Sequence, residues 1–95
     1  MPDALRLRDI RFTRASERDL RGGLVAYVSA ALGPLRIDGI TVRRTLDGRL
    51  VLSYPSRRDS RGREHPIIRP IGEAARREFE CQIFEALGIR EDTPP

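Results

Sequence analysis

Apolar and polar positions alternate along the first half of the chain, and a helical spacing takes over only near the end. Leu5 and Leu7 alternate with Arg6 and Arg8; Ile10 and Phe12 then alternate with Arg11 and Thr13. This period of two predicts a half-buried strand over Leu5–Thr13. Its phase slips by one at Asp9, which predicts a β-bulge. Ala15–Gly23 is polar, ends in Gly22-Gly23 and predicts a hairpin loop, mobile at its tip. Leu24–Leu32 is the most apolar strand. Leu24, Ala26, Val28, Ala30 and Leu32 share one face, and Tyr27, Ser29 and Ala31 share the other. A central position is expected for it, with its alanines leaving room for a helix. Gly33-Pro34 marks a tight turn. Leu35–Arg44 predicts a third strand whose phase slips at Asp38-Gly39, a second bulge. Asp47-Gly48 is a strong hairpin signal, and Arg49–Tyr54 returns as a fourth strand with Leu50, Leu52 and Tyr54 on one face.

Tyr54–Ile71 has no clean period. It holds three prolines, five arginines and the only histidine. Pro55–His65 is read as a shaped basic loop, and Ile67-Ile68 as a short edge strand bracketed by Pro66 and Pro70. From Glu73 to Leu87 the period is helical, with Ala75, Phe79, Ile83 and Leu87 on one stripe and Ala86 beside them. Pro70 precedes this helix, Gly88 supplies its C-cap, and Glu73 and Arg77 form an i,i+4 pair. Arg90–Pro95 reads as a polar tail. The order predicts an α+β fold: an antiparallel meander of four to five strands, then one C-terminal helix packed on the sheet. The whole chain, 1–95, is one domain with a core of about residues 5–88. A domain this small buries a thin core, and dimerisation is a common way to cover the remaining apolar surface. Phe84, off the helix stripe, and Tyr27, on the opposite sheet face, are candidate subunit contacts.

Composition narrows the function. With 39% hydrophobic and 34% charged residues, the chain reads as globular rather than disordered. No apolar run reaches the roughly 20 residues that span a bilayer, and the N-terminal residues lack a secretory apolar stretch. A lone cysteine cannot form an internal disulfide, which fits a cytoplasmic setting. No membrane partner is expected. Catalytic chemistry is thin: one histidine, one cysteine and 14 scattered carboxylates make no metal spacing. His65 between Glu64 and Pro66 lacks an evident nucleophile and orienting partner. Cys81 reads as a small core or boundary residue. No phosphate-binding glycine loop is present. The chain is therefore expected to have no catalytic residues, no metal and no cofactor.

The arginines are the remaining signal. The net charge is +4 and every cationic side chain is arginine, whose planar fork suits phosphate oxygens. Arg57, Arg58, Arg61 and Arg63 fall within seven residues, and Arg76 and Arg77 lie in the first helical turns, where the macrodipole slightly disfavours cations. If the loop folds back beside the helix start, these six share one face and form a candidate nucleic-acid site. Pairs such as Glu73–Arg77 and Arg76–Glu80 are the competing use of the helical arginines. At 5% aromatic content, no row of rings marks a base-stacking platform.

Tyr54-Pro55-Ser56-Arg57-Arg58, Gly62, Ile67, Pro70-Ile71 and Arg76 together resemble the signature of the SpoVG family (stage V sporulation protein G), the bacterial septation regulators. Asp9-Ile10-Arg11, Gly39-Ile40, Phe79 and Ile83 also fit that family's pattern, so the resemblance spans about residues 6–87. Tyr54 stands where the family has methionine, Pro66 where Asp is common, and arginine replaces the family's lysines. The third hairpin is one residue longer. The resemblance implies a sheet followed by a C-terminal helix, assembled as a homodimer. It also implies selective DNA binding, with RNA binding in some members, linked to septation, cell division, sporulation and gene expression. By position it assigns Arg57, Arg58 and Arg76 to nucleic-acid contact; Arg61, Arg63 and Arg77 join them on charge alone. The alternative function is a protein-interaction adaptor of the division machinery, its arginines meeting an acidic protein partner.

Overall fold

The computed structural model describes residues 5–89. Strand β1 (Leu7–Arg14) is followed by a short helix α1 (Glu17–Arg21), then β2 (Leu24–Leu32), β3 (Leu35–Arg44) and β4 (Leu50–Ser53). These four strands form one antiparallel sheet in the order β1-β2-β3-β4. Strands β5 (Ser56–Arg58) and β6 (Glu64–Pro66) make a separate two-stranded ribbon, and helix α2 (Gly72–Leu87) closes the fold. The expected α+β meander with a C-terminal helix is what the chain adopts.

Both predicted bulges are present. The β1–β2 register shifts between Arg8 and Arg11, and Asp9 takes a left-handed φ of 49° there. The β2–β3 register shifts between Val28 and Ala30, opposite Asp38-Gly39. A third shift, between Leu24 and Ala26, has no counterpart in the apolar pattern. It lets Val25 be buried alongside its two neighbours.

The core lies between one sheet face and α2. Ala26 and Ala30 are almost fully buried, as are Ile40, Val42 and Ile83. The small side chains of β2 thus leave the volume that Phe79, Ile83 and Leu87 of α2 occupy. The Gln82 side chain ties α2 to the sheet edge. Its Oε1 accepts from Leu7 N at 2.8 Å, and its Nε2 donates to Leu5 O at 2.7 Å. The amide stands in for a neighbouring strand where β1 has none. At the other end, Gly88 is left-handed, Gly88 N donates to Glu85 O, and Ile89 N donates to Phe84 O. This is a Schellman closure, and Ile89 is buried beneath it.

Four expectations are corrected. Residues 15–23 are not an open loop: Ser16 caps α1 by accepting from Asp19 N at 3.2 Å, with Glu17 and Asp19 in the first turn and Arg18 and Arg21 in the last. That charge order matches the helix dipole, which a reading of polarity alone overlooks. The Pro55–His65 segment is ordered as the β5–β6 ribbon, and Ile67-Ile68 is not a strand. The pairing falls one step earlier, because Ile67 N turns back to Pro55 O at 3.0 Å and closes the ribbon's base. Cys81 is exposed rather than at the core boundary. Of the two candidate subunit contacts, Phe84 is half-buried against the core and Tyr27 is exposed. The tail over residues 90–95 lies outside the described residues. Among those described, no helix is long and apolar enough to cross a membrane.

Candidate nucleic-acid interface

Apart from Pro66 the strands of the ribbon are built from polar residues, and its hydrogen bonds explain its shape. Cross-strand pairs put Ser56, Arg58, Glu64 and Pro66 on one face and Arg57 and His65 on the other. On the first face Glu64 accepts from the Ser56 hydroxyl and from Arg58 at 3.2 Å. These bonds, that from Ser56 foremost, hold the Glu64 carboxyl below the usual range. On the second face Asp59 Oδ2 meets His65 Nε2 at 2.7 Å.

Asp59 also organises the tip. Its Oδ1 accepts from Arg61 N at 2.8 Å and Arg63 N at 2.9 Å. Its backbone exchanges bonds with Arg63 and Gly62, and Gly62 is left-handed with φ 80°. This is a tight turn closed by a left-handed glycine. The bond to His65, and then the two amides, pull the Asp59 carboxyl below its ordinary value. Both ribbon carboxylates are thus engaged in architecture.

The six predicted arginines fall into two groups. Arg57, Arg58, Arg61 and Arg63 are all exposed on the ribbon. Arg58 is paired with Glu64; Arg57, Arg61 and Arg63 have no carboxylate partner among the described residues. Arg76 and Arg77 lie on α2, where they line a shallow groove with Glu73, Glu80 and the β4 residues Leu50 and Val51. Arg76 is clamped between Glu73 and Glu80, the latter at 2.9 Å, and Arg77 meets Glu73 at 3.3 Å. These carboxylates raise the Arg76 pKa, the bond to Glu73 most, and Arg76 in turn lowers that of Glu73. The helical pair therefore follows the competing intramolecular reading. Four arginines of the six share the ribbon; two belong to a separate, acid-rich helix face.

Tyr54 stands at the joint between β4 and the ribbon. Its hydroxyl is buried and makes no hydrogen bond among the described residues. Burial, reinforced by Glu80, pushes its pKa up to about 12. Beside it, an apolar cleft of about 250 Å³ opens between the segment leading into α2 and the sheet, lined by Leu5, Leu32, Ile37, Ile68, Ile71 and Phe79 among others. His65 is held by Asp59, and Ser56 by Glu64; neither serine nor histidine bonds the other. Among the described residues no group of three or more His, Cys, Asp or Glu side chains is disposed to hold a metal ion.

The ribbon's charge is legible in the sequence; two further features are not. One is the part played by Asp59, whose signal was its place four residues before Arg63 with Gly62 between them. The other is the arginine cluster of β1 and β3, which no local run announces. There Arg36 meets Asp9 at 2.6 Å and Arg11 meets it at 2.7 Å. Compared with known proteins, the chain matches no family model and has no significant match among curated proteins.

Proposed function

We propose that this chain is a nucleic-acid-binding regulator of the SpoVG type, acting as a cytoplasmic homodimer and without catalysis. The β5–β6 ribbon is its principal contact. The observation that carries the reading is the ribbon itself, which presents Arg57, Arg61 and Arg63 without carboxylate partners on a hairpin that buries no apolar side chain. Such an element adds little to the core. Its internal bonds fix the backbone, which lowers the entropic cost of offering cations to a ligand. Guanidinium groups spaced along a two-stranded ribbon suit phosphate oxygens, and binding through them releases counterions.

The test is fluorescence anisotropy with labelled duplex and single-stranded oligonucleotides at two salt concentrations. Arg57→Ala/Arg61→Ala, which removes two guanidinium groups without carboxylate partners among the described residues, is expected to weaken binding and to lower the salt slope by about 2. Arg76→Ala, whose guanidinium is already committed to Glu73 and Glu80, is expected to change affinity less. Equal affinity of the double variant and the wild type would remove the ribbon from the site. Recovery of an acidic protein in place of nucleic acid would favour the adaptor role.

A further inference from the structure

The sheet has a second face, away from α2, and it is chemically distinct from the first. In the register, Thr13, Tyr27, Thr41 and Ser53 form one row across all four strands. The Tyr27 ring, 47% exposed, is thus the single large side chain among small hydroxyl residues. Two residues further along β2, Ser29 lies opposite Arg11; two further again, Ala31 lies between Arg8 and Arg36. The arginine row is therefore about 13 Å from Tyr27, at roughly 3.3 Å per strand residue.

The arginines of this face are held in place. Arg36 donates to Asp9 Oδ2 at 2.6 Å, to Asp9 O at 3.2 Å and to Ser29 Oγ at 2.9 Å. Arg11 donates to the same carboxylate oxygen at 2.7 Å. Two guanidinium groups share the Asp9 carboxylate; Asp38 lines the same face with Arg11, Tyr27 and Ser29 and adds a second carboxylate, and Arg8 on the same row adds a third guanidinium, so the face keeps one net positive charge. The bonds from Arg11, and the charges of Arg11 and Arg36, hold the Asp9 carboxyl below its usual range. The bulge at Asp9, left-handed in a residue other than glycine, is what brings this carboxylate between the two arginines. A low aromatic content argues against a row of stacking rings, but one ring beside fixed cations suffices for one base and its phosphates.

We propose that this open sheet face is a second contact for single-stranded nucleic acid, with a base stacked on Tyr27 and phosphate held by Arg36 and Arg11. The choice of ligand class, and with it the preference for unpaired bases, rests on the nucleic-acid reading of the ribbon; the site and its residues do not. A duplex keeps its bases stacked inside and offers none to Tyr27, so the face selects single strands.

The chain has no tryptophan and two tyrosines, so a Tyr54→Phe background leaves Tyr27 as the only tyrosine reporter. In that background, a single-stranded oligothymidylate is titrated while tyrosine emission and the anisotropy of labelled oligonucleotide are followed. Binding is expected to quench Tyr27. Tyr27→Ala is expected to weaken single-strand binding roughly tenfold, with duplex binding unchanged. Tyr27→Phe, which keeps the ring, is expected to bind within about twofold of wild type. If Tyr27→Ala binds single strands as tightly as wild type, the sheet-face site is overturned, whatever the ribbon variant does. Loss of binding in the ribbon variant alone supports the ribbon and contradicts the face; loss in Tyr27→Ala alone does the reverse. A change in oligomeric state on Tyr27→Ala without a change in affinity assigns the face to a second copy and overturns the proposal. No binding of single strands by wild type overturns it as well.

Discussion

The turn Thr45–Arg49 between β3 and β4 and the turn Asp59–Arg63 between β5 and β6 close in the same way. In each, the first residue donates its N–H to the carbonyl of the fifth, at 2.8 and 2.9 Å, and the fourth residue is a left-handed glycine, Gly48 or Gly62. In each, the side chain of the first residue also accepts from the N–H of the fifth: Thr45 Oγ1 at 3.0 Å, Asp59 Oδ1 at 2.9 Å. The flanking strands differ. The first hairpin carries Ile40, Val42 and Leu50 into the core, whereas every strand residue of the second is exposed. Equal turn chemistry thus supports two hairpins held by different forces. One is fixed by apolar burial, the other by a carboxylate network and by the bond from Ile67 N to Pro55 O. A polar hairpin with a bonded tip and no core contribution is what the proposed ligand-binding role of the ribbon requires.

The largest effect that separates the two is on global stability. Leu50→Ala in the first hairpin is expected to cost about 2–5 kcal/mol, read from urea unfolding. Arg57→Ala in the second is expected to stay within about 0.5 kcal/mol. A comparable loss from both would mean the ribbon is part of the cooperative core. Next are the glycines. Gly48→Ala and Gly62→Ala each place a Cβ in the left-handed region, at about 1–2 kcal/mol. The first is expected to lower the global unfolding midpoint. The second should leave it unchanged and speed amide exchange only within residues 56–66.

A smaller effect tests the joint. Tyr54 has a folded pKa raised from 10.0 to about 12. The folded state therefore holds the phenol proton more tightly than the unfolded chain. Its contribution to stability is present below pH 10 and is lost as pH rises from about 10 to 12. Tyr54→Phe should abolish that loss, measured as urea midpoint against pH.

The smallest effect is local. Asp59 has a folded pKa below its ordinary 3.8, so its contribution is present above pH 3.8 and is lost as pH falls through the lower folded value. Amide protection of Arg61 and Arg63 should fall there. Arg49 N, held by the neutral Thr45 hydroxyl, should keep its protection longer. NMR exchange across that range would check the difference, and simultaneous loss at both turns would contradict it.

The same comparison explains what could be read from the sequence. Strands β1 to β4 and helix α2 bury one side, so their apolar residues repeat at 2 or 3.6 positions, and two of the three register shifts show as slips of phase. The ribbon buries nothing and has no period to read; only Gly62 and the prolines signalled a shaped segment. Helix α1 escaped because five residues are too few for a period, although Ser16 and Asp19 carry its cap. The charge of the site was legible in Arg57, Arg58, Arg61 and Arg63. Its division was legible only as an alternative: the pairs Glu73–Arg77 and Arg76–Glu80 follow from helical spacing, but whether they or a shared six-arginine face prevails depends on where the folded ribbon lies. The Asp9–Arg11–Arg36 cluster joins residues 27 positions apart, and only strand pairing brings them together.

The central claim is that the ribbon, and not the helix face, meets phosphate. The slope of log affinity against log salt, measured with one oligonucleotide, tests it most directly. Replacing Arg57, Arg58, Arg61 and Arg63 together by alanine is expected to reduce the magnitude of that slope by about 3–4 for each protomer engaged. Replacing Arg76 and Arg77 is expected to reduce it by less than about 1. An unchanged slope in the ribbon variant, or the larger drop in the helix variant, would contradict the account.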